Sequence, residues 1–127
     1  MVETTRTTDP RVISFLSEYL TVDGIGNRQC CFVPDKGVAV IYKKGWLISE
    51  YKHFFVVPEF RGQNVGQMIL QAVLEHTTTP LLIASVRCDN PRCIHINRKY
   101  GFQEIGEVVS PQGNPVKIFL KKIEEKK

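Results

Sequence analysis

Arg61-Gly62-Gln63-Asn64-Val65-Gly66 is the stretch whose residue types are arranged for chemistry. It follows the apolar run Phe54–Val57 and Pro58. Behind it, Val65, Met68, Ile69, Ala72 and Val73 fall at i, i+3, i+4, i+7 and i+8, one apolar face of an α-helix. The pattern is a buried strand, a tight polar loop and a helix whose first turn carries the loop's glycines. The first N–H groups of a helix have no acceptor inside it, and the aligned peptide dipoles place about half a positive charge there. Small residues let backbone amides close around an anion, and Arg61 adds a permanent cation. A phosphate or pyrophosphate is the natural guest. The same glycines would also serve a βα turn that binds nothing.

The rest of the chain must hold that loop in place. Asp9 before Pro10 starts a short amphipathic helix over Pro10–Leu20, with Val12, Phe15, Leu16 and Tyr19 on one face. Met1–Thr8 is polar and reads as a loose terminus, and Thr21–Asn27 reads as a loop. Gln29–Val33 and Gly37–Tyr42 are β-rich runs on either side of a Pro34-Asp35-Lys36-Gly37 turn. Lys43-Lys44-Gly45 marks another turn, after which Trp46–Ser49 opens a third strand leading to the central strand near His53–Val57. Trp46 reads as core, with an aromatic near a substrate mouth as the alternative. Beyond the central helix, Leu81–Val86 is an almost continuous apolar run, a strand buried on both faces.

Asp89-Asn90-Pro91 then caps a helix with Cys93, Ile96 and Tyr100 as its stripe and Gly101 at its end. Phe102–Val109 and Val116–Leu120 make a hairpin, and Lys121–Lys127 is a charged tail. The central strand–helix–strand unit makes two neighbouring parallel strands with a right-handed crossover. The expectation is an α+β mixed sheet in a single domain over 1–127, with 1–8 and 122–127 loose. The loop lies at the carboxyl end of the central strand, where open sheets bind ligands.

Composition narrows the partners. A chain of 127 residues can bury one core. Its formal charge of 17 − 13 = +4 favours an anionic ligand, but no dense Lys/Arg stripe points to nucleic acid. No run approaches the roughly 18–20 apolar residues of a membrane span, and Met1–Pro10 lacks the apolar core of a signal peptide. A cytoplasmic protein with no membrane partner is expected. Cys30-Cys31 and Cys88-x4-Cys93 lack paired zinc spacing, so free thiols and no metal are expected. His76 reads as a helix-end residue and His95 as a helix-surface residue.

Two stretches resemble the GNAT superfamily of acetyl-coenzyme A-dependent N-acetyltransferases. The first, V-V-P-E-F-R-G-Q-N-V-G, matches the family's strand and loop at Val56, Pro58, Arg61 and Gly66. The second, N-P-R-C-I-H-I-N-R-K-Y-G-F, matches at Asn90, Lys99, Gly101 and Phe102, with Cys93 and Ile96 as apolar replacements. The two lie in the family's order, roughly 30 residues apart.

The resemblance implies acetyl-CoA as co-substrate, in an opening between two splayed parallel strands. The backbone of Phe55, Val56 and Val57 would pair with pantetheine like an added strand. The amides of Gly62, Gln63, Asn64, Val65, Gly66 and Gln67 would hold the pyrophosphate, with Arg61 beside it, and Asn90 would steady the cofactor arm. A main-chain N–H near Val56 would bond the thioester carbonyl and the oxyanion formed on attack, a donor worth about 3 kcal/mol. The acceptor would be a small-molecule or peptide amine, and self-association as a homodimer is compatible with this reading.

Two departures stand out. Asn64 replaces the loop's middle glycine, and Asn tolerates unusual backbone angles better than other non-glycine residues. Asn97 stands where many members carry a Tyr that protonates the leaving thiolate. Tyr100, three residues on, would face nearly the same side of the helix, though as a core residue first. For the general base, relatives use a carboxylate on a central strand. Ser85 stands at one such place, which leaves Glu50 and His53. Strand alternation puts Glu50 and Lys52 on one face and Tyr51 and His53 on the other, so one of the two candidates points inward. His53 needs little tuning to act near pH 7. The leading expectation is direct acetyl transfer to a primary amine in a ternary complex. The alternative is a catalytically weak or inactive CoA-binding regulator or interaction module on the same fold.

Overall fold

The computed structural model describes residues 1–20 and 23–124. The described elements are β1 Glu3–Arg6, α1 Pro10–Tyr19, β2 Gln29–Val33, β3 Gly37–Lys44, β4 Ile48–Val56, α2 Val65–His76, β5 Leu81–Arg87, α3 Pro91–Lys99, β6 Gln103–Val109 and β7 Pro115–Lys122. One turn of 3-10 helix, Pro58–Phe60, separates β4 from the loop ahead of α2. The strands form one mixed sheet in the order β1-β2-β3-β4-β5-β7-β6. The β1–β2, β2–β3, β5–β7 and β6–β7 pairs are antiparallel, and β4 and β5 on either side of α2 are neighbours, as the expected α+β mixed sheet requires.

The chain groups into two compact units. The first comprises Met1–Tyr42 and Tyr51–Thr77. Asp9 caps α1 through a bond from the Arg11 amide to its carboxylate. Val12, Phe15 and Leu16 of α1 pack with Cys30, Phe32, Val38, Val40 and Val57. Helix α2 buries Val65, Ile69, Leu70, Ala72 and Val73, while Met68, placed in the stripe by periodicity, is at its edge and exposed. Gly37 is required by close approach. A Cβ there would come 2.7 Å from Ile69 Cδ1 and 2.9 Å from the Phe55 carbonyl oxygen. Burial pushes the Cys30 and Cys31 thiols up to about 12, so both stay protonated and behave as small core residues.

The second unit comprises Lys43–Glu50 and Thr78–Lys127. Asn90 caps α3 by accepting from the Cys93 amide at 3.1 Å. The helix ends in paired Schellman bonds: Phe102 N–H to Asn97 O at 3.0 Å and Gly101 N–H to Arg98 O at 3.1 Å. Gly101 sits at φ 87, which is why glycine follows Tyr100, and Phe102 is buried behind it.

Several expectations need correction. Glu3–Arg6 is a strand on the edge of β2, so the amino terminus is held by backbone pairing despite its polar sequence. The expected strands at Trp46–Ser49 and His53–Val57 are one strand, β4, and Trp46 is 77% exposed in the turn before it. Lys121 and Lys122 belong to β7, paired to Leu82 and Leu81. The end of the expected tail, Glu125–Lys127, and the loop residues Thr21 and Val22 lie outside the described residues.

Candidate functional site

Strand β4 does not alternate along its whole length. Buried and more open positions alternate from Ile48 to Lys52, then His53 takes a left-handed backbone with φ 56 and the alternation stops. Tyr51 and Phe54, which a regular pleat would put on opposite faces, instead bring their rings to 5.8 Å. The expected separation of Lys52 from His53 fails for the same reason. The Lys52 ammonium lies 5.4 Å over the Tyr42 ring, and His53 Nε2 is 2.9 Å from the Tyr42 hydroxyl.

The carboxyl end of β4 is fixed from one side. The Val57 amide donates to Lys36 O at 2.8 Å, and the Val57 carbonyl accepts from the Phe60 amide at 2.9 Å. Both polar groups of Val57 are thus engaged, so Val57 does not pair with an added strand as expected. The pleat turns the polar groups of Val56 to the opposite edge, where Arg61 Nε donates to Val56 O at 3.0 Å. The Arg61 guanidinium also lies 5.6 Å over the Phe55 ring, which stacks on Tyr19 on its way to the α1 core. Phe55, Val56 and Arg61 are therefore drawn together at the strand's end.

The loop that follows has the backbone its composition asked for. Gly62 sits at φ 81 and Asn64 at φ 67, both left-handed. Asn64 makes no side-chain cap bond, so its contribution is conformational: it supplies the left-handed residue where the family pattern has glycine. Gln63 ties the loop back through Nε2 to Glu59 O at 3.2 Å. The Met68 amide of α2 reaches back one turn to Asn64 O at 3.0 Å. The amides of Val65 and Gly66 ahead of it have no intrahelical acceptor. Val65 turns its side chain into the core, which leaves its N–H on the helix end. Such an end favours a diphosphate.

The other expected site residues lie in the second unit. Glu50 receives Lys44 Nζ on one carboxylate oxygen at 2.9 Å and Ser85 Oγ on the other at 3.3 Å. The two strand positions considered for a base are thus in contact. Asn90 uses its carbonyl oxygen as the α3 cap, which leaves its amide nitrogen as the group able to meet a ligand. Asn97 is fully buried and donates Nδ2 to Cys93 O at 2.7 Å. Its position is filled by an amide bonded within its own helix, so it presents nothing acidic to a thiolate. Tyr100 is half-buried at the end of the same helix.

No protein-family model and no curated protein sequence matches the chain. Solved structures do. A GNAT-family acetyltransferase from Streptococcus pneumoniae superposes with a TM-score of 0.77 at 15% identity, over 98% of this chain and 99% of that one. A chimera of the spermidine N-acetyltransferase from Vibrio cholerae and hSSAT gives 0.76 at 15% identity, over 96% of each chain. Ard1 from Thermoplasma volcanium gives 0.68 at 19% identity, over 90% of this chain and 78% of that one. The chain has the fold of the GNAT-family acetyltransferases.

Proposed function

We propose that this protein is an N-acetyltransferase that moves an acetyl group from acetyl-CoA to a primary amine by direct transfer in a ternary complex. The observation that carries the reading is the loop from Arg61 to Gly66, left-handed at Gly62 and Asn64 and ending on the open amides of α2. These residues fit a diphosphate without requiring a side-chain cage. Acetyl-CoA supplies an activated thioester, so the protein needs to provide position, a polarised carbonyl and a route for protons.

The amides of Gly62–Gly66 and the Arg61 guanidinium bind the pyrophosphate. The edge of β4 that carries the Val56 amide, opposite the one the Phe55 carbonyl faces, aligns the pantetheine arm, and the Val56 amide donates to the thioester oxygen. In the second unit, Asn90 has its amide nitrogen to offer a ligand. Glu50, six residues ahead of Val56 on the same strand, takes the proton from the incoming ammonium through a chain of waters. Ser85 and Lys44 fix the carboxylate while its remaining lone pairs stay open to that proton. His53, bonded to Tyr42, is the second candidate for the same role.

One observation favours a non-transferring CoA-binding protein as the second reading. Asn97, at the position of the usual acid, is buried and engaged with Cys93. The test separates the two. Acetyl-CoA and CoA should each raise the melting midpoint, and Gly66→Trp should abolish the shift by blocking the helix end. Thiol release across an amine panel should then be seen, lowered about 100-fold by Glu50→Gln if Glu50 is the base. A midpoint shift without thiol release leaves the regulator, and no shift at millimolar ligand removes both readings.

A further inference from the structure

Three residues of the first unit converge on the side chain of a fourth, Tyr42. The Arg28 guanidinium lies 4.4 Å over Tyr42 and the Lys52 ammonium 5.4 Å from the same ring, while His53 Nε2 holds its hydroxyl at 2.9 Å. Gln29 pairs with Ile41 across β2 and β3, so Arg28 and Tyr42 continue that register. Among the described residues, five other cations find carboxylates. Arg11 meets Glu3 and Asp9, Lys44 meets Glu50, Arg87 meets Asp89, and Arg98 and Lys117 share Glu104. None of the ion pairs among the described residues uses Arg28 or Lys52.

We infer that this cluster is an anion site for the acceptor: the amine that is acetylated also carries a carboxylate or a phosphate. The inference rests on the acetyl-transfer reading for its substrate, and on the cluster's own geometry for its charge. The face of one phenol attracts each cation by about 0.5–1 kcal/mol at an exposed site, but it does not neutralise either of them. Two like charges held 4.4 and 5.4 Å from one ring repel each other, and an anion that both side chains reach relieves that repulsion. Arg28 has its Nε on Ile25 O at 3.1 Å, which orients the guanidinium and leaves its terminal nitrogens for a forked contact. Tyr42 is fixed in turn by His53, whose left-handed backbone interrupts the strand where Lys52 must swing over the ring. A non-glycine residue held in that region is strain of the kind that functional sites retain.

Position separates this site from the cofactor's. Lys52 and His53 precede Val56 by four and three residues on the same strand, roughly 13 and 10 Å at about 3.3 Å per residue. The diphosphate loop lies beyond Val56. An amine nitrogen brought to the Val56 end would therefore carry its anionic group back along β4, into the reach of two long basic side chains. A polyamine placed the same way would set a cation against Arg28 and Lys52.

The test compares amines matched in length and differing in charge: phosphoethanolamine and β-alanine against ethanolamine and putrescine, with thiol release from acetyl-CoA as the readout. An anionic member should exceed ethanolamine about ten-fold in kcat/KM, and which anion leads distinguishes phosphate from carboxylate. Lys52→Gln and Arg28→Gln should each lower that preference through KM rather than kcat, with the CoA-induced midpoint shift retained. Arg28→Lys should restore part of it. Equal or better turnover of ethanolamine and putrescine, or an unchanged KM in both variants, would overturn the inference. If CoA binds and no amine is acetylated, the transfer reading fails by itself. Inorganic phosphate, titrated onto the CoA-saturated protein, then decides the anion site: a midpoint rise lost in Lys52→Gln supports it, and no rise removes it.

Discussion

Tyr51 and Phe54 touch ring to ring at 5.8 Å although they stand three residues apart on one strand. Only an interruption of the pleat allows that, and His53 at φ 56 is the interruption. A β-branched residue cannot occupy that backbone region cheaply. His53→Val is expected to cost about 1–3 kcal/mol in urea unfolding, and His53→Gly to cost much less. Equal stability of the two variants would show that the strand can regularise without loss.

Asn64 makes the same kind of contribution in the loop. Because its side chain caps nothing and its backbone is left-handed, Asn64→Gly should keep or raise CoA affinity. Asn64→Val should lose about 1–2 kcal/mol of stability and bind CoA more weakly. Calorimetric titration of both variants checks this, and a Val variant with unchanged affinity would place the phosphates elsewhere.

Asn97→Tyr looks, from the sequence alone, like the restoration of an acid. Full burial and the 2.7 Å bond to Cys93 O reverse that expectation. A phenol at this position overpacks the site and is expected to destabilise by about 1–3 kcal/mol without raising turnover. Faster thiol release from a stably folded Asn97→Tyr would refute this.

At acid pH the cap of α1 should be visible. The side-chain hydrogen bond from Arg11, followed by the bond from the Arg11 backbone, holds the Asp9 carboxyl down at about 2, against an ordinary 3.8. A depressed folded value means that its contribution is complete above pH 3.8 and is lost as pH falls through 2. Asp9→Asn should therefore flatten the melting curve between those values and leave its shape near neutrality unaltered. An acid limb identical to wild type would assign the loss to other carboxylates.

Much of this fold was legible because local chemistry and tertiary structure agree. Asp9-Pro10, Asn90-Pro91 and Gly101 are read from capping rules, and each does the expected work at its helix end. The loop from Arg61 to Gly66 follows from the change of period around it. The main cause of the failures is that long-range register leaves no local trace. Glu-Thr-Thr-Arg carries no apolar alternation, yet its pairing with Arg6 opposite Gln29 makes it a strand. Arg28, Tyr42 and Lys52 are unremarkable in sequence and meet only when β2, β3 and the interrupted β4 lie side by side. A histidine in mid-strand gives no warning that the pleat stops there. Trp46 was read by its hydrophobicity, whereas the turn that contains it faces water.

Gly37 leaves so little room that the first residue of β3 rests directly on the Phe55 carbonyl and the tip of Ile69. Helix α2 and the last residues of β4 are thereby keyed to a single bare backbone position. Any methyl added there must lever the carbonyl away from its bed. On the acetyl-transfer proposal, the damage would be transmitted to the Val56 end of β4, far from the altered residue in sequence, and turnover would register it as a misaligned ligand before the molecule lost its shape.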